Sequence, residues 1–199
     1  VSSASDLARA GFAEQTDVVN LLSNAYNIYG DTLGEVSSVT DKFVKAQDLG
    51  KFTIGEMATE MSEAMAIGKT YGVNLDQVLA SYVKLTKSGY SAAESTNKIS
   101  AMFEELGDTT SDIGEVFEKV SGQSFKAFIE AGGTVEQALQ MIQDGAKLSD
   151  EALLQLFSSS EAGQAALALL NEEAGNFNEI LKEIGNSSGA TQKAIDMLN

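Results

Sequence analysis

Few residues in this 199-residue chain have the types and spacing that chemistry needs. "GKT" at 68–70 ends like a phosphate-binding loop, in which backbone amides cradle phosphates and a lysine reaches the terminal ones. The upstream glycine is missing, with Glu63 in its place, and the stretch lies inside a helical pattern rather than after a strand. "DTTSDIGE" at 108–115 has some acidic character of a calcium loop but lacks the alternating ligands, so it reads as a loop and helix start. "GNSSGA" at 185–190 follows no strand and precedes no Lys-Ser/Thr, and reads as a turn. Glu104 with Glu105 and Glu172 with Glu173 are adjacent acids. Neighbouring helix positions point about 100° apart, whereas paired-carboxylate hydrolysis needs two acids facing one cleft. The chain has no cysteine and no histidine. Disulfides, thiolate metal sites, the usual zinc ligand and the commonest general base are therefore excluded. The residues point away from an enzyme, and no catalytic, cofactor-binding or metal-binding residue is assigned.

Met57, Met61 and Met65 recur every four residues in "FTIGEMATEMSEAMAIGKTYG". Such a row can form an adaptable docking surface or fill a core. It shares a helical face with Ile54, Ala58 and Gly68, opposite Glu56, Glu60, Glu63 and Lys69, and this pattern favours the core. Small residues Ala58, Ala64 and Gly68 would let helices approach closely. The runner-up reading is a helical protein–protein interaction module docking through this methionine face.

The elements around these residues are helical. Leu75, Val78, Leu79, Tyr82 and Leu85 form one stripe, and Ile99, Met102, Phe103 and Leu106 another. Thr53 with Glu56, Asn74 with Gln77, Ser91 with Glu94, and Thr134 with Gln137 have capping-box spacing. Ser149 precedes Asp150 and Glu151, which suit a helix N-terminus. Gly30, Gly50, Gly72, Gly89, Gly107, Gly122, Gly132, Gly145 and Gly185 each follow an amphipathic run and read as helix stops. No proline interrupts a helix, and no strand-length alternation occurs. These marks predict an all-α protein, a compact array of about ten short to medium helices with glycine-terminated turns. A soft boundary at "LGDTTSD", 106–112, divides it into 1–107 and 108–199, or leaves it one domain.

Acidic residues number 29 against 13 basic ones, a net charge of -16, which opposes direct nucleic-acid binding. The most apolar run, "AALALL" at 165–170, is far short of the roughly 18 residues a membrane helix needs. No signal-peptide pattern opens the chain, and a first residue of Val with both ends mid-pattern fits a domain cut from a longer protein.

The words of the sequence go further. "LGKFTIGE" at 49–56, "AIGKTYGVNLDQVLAS" at 66–81 and "LTKSGYSAAEST" at 85–96 resemble, in order, the core region of phage tail tape measure proteins. "SGQSFKAFIEAGGTVEQALQMI" at 121–142, "LFSSSEAGQAALALL" at 156–170 and "NSSGATQKA" at 186–194 continue the resemblance. Tyr90 and Phe52 depart from it, where an aliphatic and a small polar residue are usual. The resemblance implies a structural role in a phage or prophage tail: setting tail tube length, and taking part in assembly and DNA delivery. It implies the tail tube protein, tail assembly chaperones and tail-tip proteins as partners, with self-association in several copies. It implies no cofactor. The expected location is the tube lumen of the virion, and the bacterial cytoplasm during assembly. An acidic surface there would repel passing DNA.

Overall fold

Each helix begins and ends where local side chains satisfy the backbone. In the computed structural model, which describes residues 2–11 and 13–197, Thr53 with Glu56, Ser91 with Glu94 and Thr134 with Gln137 form complete reciprocal capping boxes. Ser111, Ser124, Ser149, Ser159 and Asn176 also accept from the amide three residues on. Asn74 caps its helix by accepting from the Gln77 amide, but the Gln77 side chain turns elsewhere. All nine predicted glycine stops stand at helix ends. Gly122, at φ 75°, closes its helix in the left-handed conformation, whereas Gly50 is extended at φ -95°.

Among the described residues the order is α1 (Ser2–Gly11), α2 (Gln15–Tyr29), a 3-10 turn (Gly30–Leu33), α3 (Val36–Leu49), α4 (Ile54–Glu60) and α5 (Ser62–Thr70). Then come α6 (Leu75–Lys87), α7 (Ala92–Gly107), α8 (Asp112–Ser121), α9 (Phe125–Glu130), α10 (Val135–Gly145) and α11 (Asp150–Leu156). The chain closes with α12 (Ser160–Leu170), a second 3-10 turn (Glu172–Ala174), α13 (Phe177–Gly185) and α14 (Ala190–Asp196). The fold is all-α, as predicted, with fourteen α-helices among the described residues rather than about ten.

One extra break falls in the methionine stretch. Met57, Met61 and Met65 are all fully buried, so the row is core. The helical pattern stops at Met61, although its backbone stays helical at φ -80° and ψ -15°. Thr96 on α7 donates from Oγ1 to the Glu60 carbonyl at 2.9 Å. A continuous helix would offer that oxygen to the amide four residues on. A hydroxyl competing for the helix ladder is a recognised cause of such breaks. Thr96 is itself hydrogen-bonded to the Tyr82 hydroxyl on α6.

The centre of the molecule is α6. Every residue from Gln77 to Thr86 is buried, the mark of a helix covered on all sides. Helices α3, α5, α7, α12 and α13 pack around it. Gly68 sets the approach of α5, since a Cβ there would stand 3.2 Å from both Phe103 and Val78. Helix α7 lies against α12 as well as α4, α5 and α6, and α14 packs on α1 and α3. The corner at 106–112 is tightly bonded. Ser111 Oγ donates to the Glu105 carbonyl at 2.6 Å, and Asp108 Oδ1 accepts from the Thr110 amide at 2.8 Å.

Candidate functional site

The buried polar side chains are the natural place to look for chemistry, because an unpaired buried polar group is costly and needs a reason. Among them Asp41, Gln77 and Lys84, with the half-buried Glu105, join one helix to the end of another. Gln77, on α6, donates from Nε2 to the Gly133 carbonyl at 3.1 Å and accepts from the Val135 amide at 2.8 Å, so it holds the start of α10. Glu105, on α7, accepts from the Ser158 and Ser159 amides at 2.6 and 3.0 Å and from Ser159 Oγ at 2.8 Å. It thereby caps α12 with a carboxylate, which suits the positive helix N-terminus. Asp41, on α3, accepts from the Gly189 and Thr191 amides at 2.8 and 2.9 Å and caps α14.

Lys84 is the counterpart at a C-terminus. It lies mid-stripe in α6 and is fully buried. Its Nζ donates to the Asn171 carbonyl at 2.6 Å and to the Gly175 carbonyl. A cation there complements the negative end of α12. Burial pushes its pKa down, and the Glu136 and Glu172 carboxylates pull it back up. Glu136, in the first turn of α10, is only 4% exposed. Burial raises its pKa against the opposing pull of Lys84.

That shift has a consequence for stability. A carboxyl whose folded pKa lies above its ordinary value stabilises the fold fully only below that ordinary value. The contribution is lost as pH rises through the folded pKa. Glu136→Gln is therefore expected to raise the melting temperature at pH 7 and to shrink the gain that wild type makes on mild acidification. Thermal melts of both proteins between pH 8 and pH 5 check this.

The residues singled out by spacing are placed as follows. Lys69 and Thr70 are exposed at the end of α5, where Lys69 Nζ stands 5.8 Å from the Tyr29 ring centroid. "DTTSDIGE" forms the α7–α8 corner and the start of α8, and "GNSSGA" forms the turn into α14. Of the adjacent acids, Glu105 caps α12 while Glu104 is exposed, and Glu172 with Glu173 sits exposed in the second 3-10 turn. Among the described residues, no group of three or more Asp or Glu side chains is placed to hold a metal ion. No described helix is long and apolar enough to cross a membrane.

An open cleft of about 620 Å³ lies between Ser88 and Tyr90, Asp150 and Leu154 of α11, and the Gln164–Glu173 stretch. Its charged lining residues are all acidic: Asp150, Glu172 and Glu173. The arrangement as a whole is structural, with single side chains fixing helix ends across the molecule. Asp41, Gln77 and Glu105 were not legible as such from their spacing. Lys84 carried one signal, a lone charge inside the apolar run "LASYVKLT".

Comparison with known proteins agrees with this scaffold character. Over 177 residues the chain is 25% identical to a "Probable tape measure protein" of Clostridium phage phiCD119. The match covers 86% of this chain and 19% of that protein, so the chain spans about a fifth of the relative's length. No solved structure matches it. The family described as phage-related minor tail protein matches residues 1–159, which take in α1 to α11 and the central helices α6 and α7. With most of its length matched, the chain belongs to the phage-related minor tail protein family.

Proposed function

We propose that this chain is a structural segment of a phage tail tape measure protein, one that sets tail tube length and takes part in tail assembly and DNA delivery. The observation that carries the reading is the 177-residue match to the probable tape measure protein, which extends over nearly the whole fold. The geometry supports it, because the buried polar side chains described above cap and join helices. The net charge of -16 favours protein partners over nucleic acid. The partners are the tail tube protein, tail assembly chaperones, tail-tip proteins and further copies of the chain. The site of action is the tube lumen, after assembly in the host cytoplasm. The competing docking-module reading needed an exposed methionine face, and Met57, Met61 and Met65 are fully buried.

The segment enters assembly as one cooperative unit rather than as separate parts 1–107 and 108–199. Supporting this, Glu105 on α7 caps α12, and Lys84 on α6 holds the connection from α12 to α13. Peptide mass spectrometry of purified phage particles tests the functional reading. Peptides of this chain are expected in intact virions at a fixed ratio to the tube protein. Their absence from particles that assemble and infect normally would overturn it.

A further inference from the structure

Helix α14 is lightly held. It has seven residues, too few to persist as an isolated helix. Within it only Thr191 and Ile195 are buried. Its neighbour α13 buries Phe177, Ile180 and Ile184. The N-cap position of α14 is Gly189, which has no side chain to cap with. The cap comes instead from Asp41, 148 residues earlier in the chain, whose two carboxylate oxygens each take one amide of the first turn. The Thr191 hydroxyl is buried without a hydrogen-bond partner, so it adds nothing to the hold. The link from α13, Gly185 to Gly189, is exposed at Gly185, Asn186, Ser188 and Gly189. Gly189 sits at φ 81°, and a Cβ at either Gly185 or Gly189 would meet nothing within 4 Å.

Helix α14 also joins helices far apart in the chain. It packs on α1 and α3, and a polar cavity of about 200 Å³ between them is lined by Ser3 and Asp6 of α1, Asp41 of α3, and Thr191 of α14. The centre of the molecule, α6 with α7 and α12, lies in other contacts.

We propose that α14 is a releasable strap, with Asp41 as its catch and the Gly185–Gly189 link as its hinge. The strap lies over α1 and α3. Opening uncovers Ile195 and Thr191 with the half-buried Ala190 and Ala194, breaks two charge-assisted hydrogen bonds, and leaves the α6-centred core folded. Release frees α14 from α1 and α3. The device stands on the folded chain alone and does not depend on the tail reading.

Hydrogen exchange on the whole chain, read by mass spectrometry, tests it with Asp41→Asn and Asp41→Ala. In wild type, α14 amides are expected to be protected, but less than those of α6 and α7. In Asp41→Asn, amides of 190–196 are expected to exchange about tenfold faster, while α6 and α7 keep wild-type rates. Ile195→Ala, which loosens the strap from its apolar side, is expected to give the same pattern. Unprotected α14 amides in wild type would overturn the proposal. So would unchanged α14 rates in both Asp41 variants. So would α6 and α7 accelerating by the same factor as α14 in both Asp41→Asn and Ile195→Ala.

Discussion

Replacing Lys84 with methionine is expected to lower the stability of the fold by about 3 kcal/mol, the scale seen when one partner of a buried charged network is removed. Methionine has nearly the shape of the lysine stem, so packing in α6 is largely kept. What is lost is the ammonium that bonds the Asn171 and Gly175 carbonyls. Glu136, 4% exposed, then has no cation to offset its burial. The second half of the prediction follows from that. Adding Glu136→Gln to Lys84→Met is expected to recover part of the loss, because the uncompensated carboxylate is gone. Chemical denaturation of the two single variants, the double variant and wild type gives the coupling directly. Equal stability of Lys84→Met and wild type would show that the two carbonyls and the carboxylate find water instead.

Gly114→Ala is expected to cost about 3 kcal/mol, at the upper end of overpacking penalties, despite alanine's better helix propensity. A Cβ on Gly114 would stand 2.1 Å from the Asp108 carbonyl oxygen and 2.9 Å from Ser111 Oγ. The carbonyl belongs to the backbone of the α7–α8 corner and cannot swing aside as a side-chain tip can. That corner is also pinned by Ser111 Oγ, which donates to the Glu105 carbonyl and accepts from the Gly114 amide. Gly185→Ala is the control, since a Cβ there meets nothing within 4 Å. It is expected to be neutral or slightly stabilising. Melting temperatures of the two variants separate a close approach from a general intolerance of alanine.

These two positions mark where the sequence stopped being readable. Thr53, Ser91 and Thr134 could be paired with Glu56, Glu94 and Gln137 because a cap and its partner lie three residues apart. The methionine row was assignable to the core because a helical face repeats every three to four residues. Gln77 had the same cap spacing from Asn74, yet its side chain serves Gly133 and Val135, more than fifty residues away. The break at Met61 depends on Thr96, 36 residues along, whose hydroxyl reaches the Glu60 carbonyl. Asp41 and Glu105 carry no mark in the local pattern, yet they cap α14 and α12. Local rules locate helix ends and faces. They do not say which distant side chain will finish a helix end, because that depends on the packing of α3, α6 and α7 against the later helices.

The same limit applies to function. With neither histidine nor cysteine, the residues narrowed the chemistry without naming a role. The order of six short segments carried the resemblance to tail tape measure proteins, and the family match over residues 1–159 agrees with it. A folded segment adds a physical alternative for how such a segment counts toward length. Laid end to end as helix, 199 residues would reach roughly 300 Å, whereas the folded unit measures on the order of 40 Å across.

The most direct measurement is tail length by electron microscopy in a phage carrying an in-frame deletion of this segment. Shorter tails are expected. A loss near 300 Å would mean that the segment lies extended in the tube, and a loss near 40 Å that it keeps its fold. Tails of wild-type length would contradict a length-setting role for this segment.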